Sequence, residues 1–447
     1  MTLPDPNATP QYQPPPISQA IPAPIKTKTP DDSELAARWI AYNQHAAFGL
    51  GEWRKYHDGY WQPIDRDVIK SEIKSVLDRA RIDGVRPNAG QLASVMELAR
   101  VDVAIAADKW DANAEYLPCA NGVLHIPTKT LYPHTPDIYA TSRLDYDYDP
   151  TATCPNFLHA LETIPDAAEF LQEFAGYALT PDVKHEVAVW MQGPPGSGKS
   201  TVLAGLQAML GARAGLLGLA DIERSRFALA NLPGKTLVVS TEQPDNYIAA
   251  SHLLNAIISG EPITVEQKFK EAIQVTPRAK IIWAMNNLPR VNDANNGLMR
   301  RVKIIKFPTL EETARDPELK EKIMQEGAGI LNWALIGLDR LLLRGGFAIP
   351  KSILDATREF QEKNDIPALF LQDVNATIDL TDPKCREQSQ ALYDRYNEWC
   401  RRNNHKPLSN VKVADEWRRL GFEKVKIHGV YYWQGVQIPA PGIGVVP

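Results

Sequence analysis

Eight consecutive residues, Gly193-Pro194-Pro195-Gly196-Ser197-Gly198-Lys199-Ser200, carry the most specific chemistry in the chain. They fit the pattern GxxxxGK[ST], with Thr201 next in line. Glycines so placed let the backbone curl until successive N–H groups face one set of oxygens, and a helix opening at the lysine turns its positive end the same way. The lysine then reaches β- and γ-phosphates, and the hydroxyl beside it holds Mg²⁺. Residues Gly193 to Thr201 are therefore the expected binding segment for ATP and Mg²⁺, with Ser200 on the metal. The apolar run Val187 to Met191 ahead of the motif and the helical stretch Thr201 to Leu210 behind it supply the strand and helix that such a Walker-type loop requires.

A phosphate loop needs a carboxylate at the tip of a second strand, to hold the metal and orient the attacking water. Leu237-Val238-Val239-Ser240-Thr241-Glu242 offers Glu242, with Asp245 three residues on. A third apolar run, Ile281 to Met285, ends in Asn286-Asn287, where an amide can donate to the γ-phosphate and accept from the water. Ahead of a fourth, Val302 to Phe307, stand Arg300 and Arg301, either of which could neutralise charge on a transferring phosphoryl group. Between the second and third runs, Lys268-Phe269-Lys270 sits in a stretch that alternates as a hairpin does and could grip phosphates and touch a base. Each feature also has a plainer reading: a cap for Glu242, a turn for Asn286, a surface coat for the arginines and a solvated hairpin for the lysines.

Strands alternating with helices after Asp149-Pro150 predict an α/β class with a largely parallel sheet covered on both faces. Residues 32–155 read as an α-rich domain with a small sheet: Ser33 as a helix cap, a strand pair around Asp58-Gly59, helical periods from 67 to 107, and short strands from 121 to 132. The ATPase core is placed at 156–345, a linker at 346–385, and a compact unit at 386–438 followed by a tail, 439–447. Helix, helix and hairpin in that last unit suggest a winged helix. From Arg395 to Lys426 it carries nine Lys/Arg against four acids, and Lys412, Arg418 and Arg419 lie on its second helix. That makes it a local DNA-binding surface in a chain whose formal net charge is −5. Nine of the 35 prolines fall in residues 1–30, which reads 1–31 as a disordered tail. The four cysteines are far apart, with no CxxC, which disfavours zinc and disulfides, and no apolar run reaches membrane-spanning length. A reducing compartment, the cytoplasm, is the expected location.

The order of glycine loop, Glu242 strand, Asn286 strand and Arg300-Arg301 resembles the superfamily 3 helicases, an AAA+-like group. More narrowly it is similar to the helicase part of phage and plasmid primase-helicases and of the poxvirus-type replicative helicase-primase. Asn121-Gly122-Val123-Leu124, the run Asp145 to Pro150, Cys154-Pro155-Asn156-Phe157, Gly260-Glu261-Pro262-Ile263-Thr264 and Ile330 to Leu338 belong to the same resemblance. Two departures stand out: Ser197 where the phage-type loop often has Asn, and a lone Glu242 where paired acids are common. The resemblance implies a homohexameric ring that unwinds forked DNA and moves 3′ to 5′ on a single strand. Lys199, Ser200 and Glu242 then act in one subunit with Arg301, or alternatively Arg300, reaching from the next. Lys268, Phe269 and Lys270 would line the channel. No polymerising module is recognisable, so primer synthesis is not expected, and a primase or polymerase is a possible partner. An initiator or remodelling ATPase that does not unwind DNA is the alternative.

Overall fold

The computed structural model describes residues 29–225, 227–241, 243, 251–266, 272–289, 297–311, 316–403 and 405–439. Glu242, Asp245 and Lys268 to Lys270 lie outside them, as do the tails before residue 29 and after 439.

The first helix, Asp32–Tyr42, is capped by Asp31 rather than Ser33. The Asp31 carboxylate accepts from the Glu34 N–H at 3.0 Å, and Glu34 accepts from the Asp31 N–H at 3.2 Å. Only a cap at Asp31 has a glutamate three residues on to complete this reciprocal pair. Helices Arg66–Arg79 and Ala89–Asp102 close around it on Leu35, Trp39, Ile69, Ile73, Leu77 and Val95. Strands Ala46–Gly49, Glu52–His57 and Tyr60–Ile64 form an antiparallel sheet beside them. Its second turn uses two left-handed residues, Asp58 at φ 49° and Gly59 at φ 84°, as a two-residue hairpin demands.

Strands Tyr116–Cys119, Gly122–His125 and Thr130–Tyr132 form a second antiparallel sheet. Its Leu117, Cys119, Leu124 and Ile126 share a core with the helices and central sheet that follow.

The central sheet is five parallel strands in the spatial order Val302–Lys306, Ala188–Gln192, Lys280–Met285, Leu237–Ser240, Ala214–Leu216. Side chains alternate between two apolar layers. Val189, Met191, Ile282 and Ala284 pack beneath helices Lys199–Leu210, Pro165–Ala178 and Gly327–Arg344. Ala188, Trp190, Ile281 and Trp283 face helices Ser251–Ser259 and Lys351–Asn364. Helices Pro165–Ala178 and Gly327–Arg344 approach so closely that a Cβ on Gly176 would lie 2.4 Å from the Ala334 carbonyl oxygen, and one on Gly337 2.3 Å from that of Gln172. Backbone cannot yield as a side-chain tip does. Gly337→Ala is therefore expected to cost roughly 2 kcal/mol, read as a thermal midpoint lowered by several degrees, while Gly346→Ala, where nothing lies within 4 Å, leaves it unchanged.

The segment expected as a linker is divided between two bodies. Helix Lys351–Asn364 packs on the sheet through Ala356 and Phe360, and Thr357 Oγ1 accepts from the Ile304 N–H at 3.2 Å. One residue later, helix Ile366–Asp373 gives Phe370 and Leu371 to the core of the last unit. That unit continues with strand Arg386–Gln388, helices Ser389–Arg402 and Asn410–Arg419, and the hairpin Glu423–Ile427 with Val430–Gln434. Its sheet places Val430–Gln434 in the middle. All four cysteines are buried free thiols, and burial pushes Cys119 and Cys154 up to about 12. Among the described residues no helix is long and apolar enough to cross a membrane.

Candidate functional site

Three neighbouring strands stop at one level. Gln192 is in register with Met285 on one side and Lys306 on the other, so Gly193, Asn286 and Phe307 emerge side by side. The Gly193 N–H donates to the Met285 carbonyl at 3.3 Å, and the Phe307 N–H to that of Gln192 at 2.7 Å. A Cβ on Gly193 would sit 2.7 Å from the Phe307 carbonyl oxygen, which is why the loop begins with glycine. Gly196 and Gly198 then take φ of 74° and 91°, the left-handed region that favours glycine, and helix Lys199–Leu210 starts at once. Its first turn leaves backbone N–H groups without partners inside the helix, pointing out over the end of the sheet.

Lys199 is 7 % exposed, and its ammonium donates to the Gly193 carbonyl at 2.5 Å, the Pro194 carbonyl at 2.8 Å, Ser197 Oγ at 3.1 Å and Asn286 Oδ1 at 3.4 Å. Burial lowers its pKa. Every one of these acceptors is uncharged. A sequestered cation satisfied only by neutral oxygens still attracts an anion, and here it stands at a helix N-terminus. Ser200 is exposed on the first turn beside Lys199, and Thr201 follows half-buried. The sheet thus brings Lys199, Ser197, Ser200 and Asn286 to one place. Ser197 went unassigned beyond the binding loop in the sequence; its 1 % exposure and its contact with Lys199 give it a part in holding the ammonium.

A cleft of about 590 Å³ opens from this loop over the sheet end, bordered by Gln192, Pro194, Asn286, Leu288, Lys306 and Phe360. Lys306 and Lys363 grip Glu359 at its rim, at 2.5 and 2.7 Å, and their hydrogen bonds pull its carboxyl down to about 2. Glu359 and Lys363 are an i,i+4 pair on one helix, but no sequence pattern announced that Lys306, 53 residues earlier, would join them.

The arginines occupy the opposite end of the sheet. Val302 pairs with Ala188 at the N-terminal end of both strands, so Arg301 sits about five residues, or roughly 17 Å, from the glycine loop of its own chain. Its guanidinium is 10 % exposed and is bound to Glu186 by Nε at 2.8 Å and Nη2 at 2.5 Å, with Nη1 donating to the Gly297 carbonyl at 2.8 Å. Arg301 is thus held within its own chain. Arg300, one residue earlier, is exposed.

In the last unit the three expected DNA contacts separate. Lys412 is exposed near the start of helix Asn410–Arg419. Arg418 pairs with Asp415 at 2.6 Å. Arg419 is clasped by Asp365 at 2.5 Å and Glu416 at 2.6 Å, a tie between helices that occupies its guanidinium.

Comparison with known proteins matches two parts of the chain, both ahead of the last unit. A family model described as D5 N terminal like matches residues 36–165. A second, described as a family of unknown function (DUF5906), matches residues 191–301, from just before the glycine loop to Arg301. A putative helicase of Acanthamoeba polyphaga mimivirus is 27 % identical over 172 residues, covering 34 % of this chain and 18 % of that protein. A putative helicase of Invertebrate iridescent virus 3 is 23 % identical over 336 residues, 66 % of this chain and 36 % of that one. The chain is thus similar, at low identity, to viral putative helicases, and a D5 N terminal like segment accounts for its residues 36–165. The chain spans less than two fifths of the length of those curated relatives. Its fold is also that of a solved apo structure of the NrS-1 C terminal region, with a TM-score of 0.51 at 12 % identity over 91 % of this chain and 100 % of the other.

Proposed function

We propose that the chain is an ATP-dependent replicative DNA helicase of superfamily 3 type, assembled as a ring. One observation carries this reading: a buried lysine on a helix N-terminus, surrounded by neutral oxygens and next to the amide of a neighbouring strand tip. That arrangement fits a nucleotide's phosphates. The backbone N–H groups of Gly196 to Ser200 would cradle the β-phosphate, Lys199 would bridge to the γ-phosphate, and Asn286 would orient the attacking water. Ser200 and Glu242 are the residues to hold Mg²⁺, which would offset negative charge between the phosphates.

The opposite placement of loop and arginines favours assembly. Neither Arg300 nor Arg301 reaches its own loop, so either would serve the reaction from another copy, through a head-to-tail interface of the kind that forms rings when its rotation closes. The Glu186 ion pair favours Arg300 as the presented side chain. Helix Ile366–Asp373, strand, two helices and hairpin follow the element order of a winged helix, which supports a DNA-binding reading of the last unit. Lys268, Phe269 and Lys270 remain the proposed channel contacts.

The decisive experiment measures ATP hydrolysis by the full chain with and without single-stranded DNA, alongside unwinding of a forked duplex. Hydrolysis stimulated by DNA, together with strand separation, is the expected result. Hydrolysis indifferent to DNA with no unwinding would replace this reading with an initiator or remodelling ATPase.

A further inference from the structure

We infer that the hairpin Glu423–Ile427/Val430–Gln434 is a single-stranded nucleic-acid contact, in which Lys424 and Lys426 hold phosphates and Tyr431 stacks on a base. This rests on the DNA-dependent reading above and moves the contact from the second helix of the last unit to its hairpin.

Register places Lys424 opposite Trp433 and Lys426 opposite Tyr431, so all four side chains share one face. The inner end of that face is structural. Trp433 is buried, and the Lys424 ammonium lies 5.6 Å from its ring centroid while the Arg418 guanidinium covers it at 5.8 Å. Further out the face leaves the body of the unit. Tyr431 is 50 % exposed, flanked by Lys424 and Lys426 with each ammonium 5.2 Å from its ring centroid. The tip turns through His428 at φ 49° and Gly429 at φ 87°, and nothing lies within 4 Å of a Cβ placed on Gly429.

Two cations from one strand beside an exposed ring from its partner strand, all on one face of the hairpin, match the phosphates and bases of an unpaired strand. Charge decides which cations remain for a ligand. Arg418 is matched by Asp415, Arg419 by Asp365 and Glu416, and Arg402 by Glu398. Lys424 and Lys426 show no carboxylate partner among the described residues, and their contacts with Tyr431 leave the ammonium groups at the surface. A double helix hides its base faces, so an exposed ring between two cations selects a single strand over a duplex.

The test is fluorescence anisotropy of a labelled oligothymidylate with the full chain, without nucleotide, over a range of salt. Tyr431→Ala is expected to weaken binding about tenfold and Tyr431→Trp to retain it. Lys424→Glu with Lys426→Glu should weaken it further and flatten the salt dependence, whereas Lys70→Glu with Lys74→Glu, the same charge change on the first domain, should not. Basal ATP turnover is measured in every variant, and it should be unaltered because none of these residues adjoins the glycine loop. Loss of turnover in the wild type would sink the helicase reading and leave the binding result standing. Wild-type affinity in both hairpin variants, no binding by the wild type, or a preference for a matched duplex would overturn the hairpin assignment.

Discussion

Lys199→Ala should lower ATP turnover at least about a hundredfold, because it removes the buried cation proposed to bridge the phosphates. The variant should fold as well as the wild type. Its ammonium is desolvated among neutral oxygens, so its loss relieves an electrostatic cost as it empties the site. Asn286→Ala separates the two roles at this position. Its Oδ1 is 3.4 Å from the Lys199 ammonium, the longest of the four contacts, so the amide contributes little to holding the lysine. Turnover should then fall with nucleotide affinity nearly unchanged, the signature of a contact made in the transition state. Steady-state hydrolysis combined with titration of a fluorescent ATP analogue distinguishes these patterns. Wild-type turnover by Lys199→Ala would overturn the assignment of the loop.

Arginine substitution should split just as cleanly. Arg300→Ala is expected to reduce turnover about a thousandfold without altering stability, as removal of a guanidinium supplied between subunits does. Arg301→Ala should act mainly on stability, since it strands Glu186 and the Gly297 carbonyl. Mixing provides the sharper check. Arg300→Ala and Lys199→Ala subunits, each inactive alone, should regain part of the activity together, because some interfaces then join an intact loop to an intact arginine. Absence of any recovery, with mixed assembly demonstrated, would remove Arg300 from the reaction.

The glycine loop was legible because its requirements are local: left-handed φ at Gly196 and Gly198 and close approach at Gly193 can be met by few residue types. The parallel sheet was legible for a related reason, as strands buried on both faces must be apolar throughout. What stayed hidden depended on partners distant in sequence. Nothing near Arg301 indicated that Glu186, more than a hundred positions away, would occupy it, or that Asp365 would occupy Arg419. Counting basic residues from 395 to 426 likewise found the charge without showing which cations were already matched. The helix cap shifted from Ser33 to Asp31 on one reciprocal pair of hydrogen bonds.

Helix Lys351–Asn364 has a consequence for how the last unit samples space. It is fastened to the sheet edge at Ile304 and Lys306 and extends about 21 Å before Asp365 caps the next helix and clasps Arg419. A flexible tether would spread the unit over a wide volume and dilute its effective concentration at any one place. A helical connection tied at both ends narrows that volume, so any ligand of the last unit would be held within a short range of the sheet, and rotation of the strand tip at Lys306 would carry the unit with it.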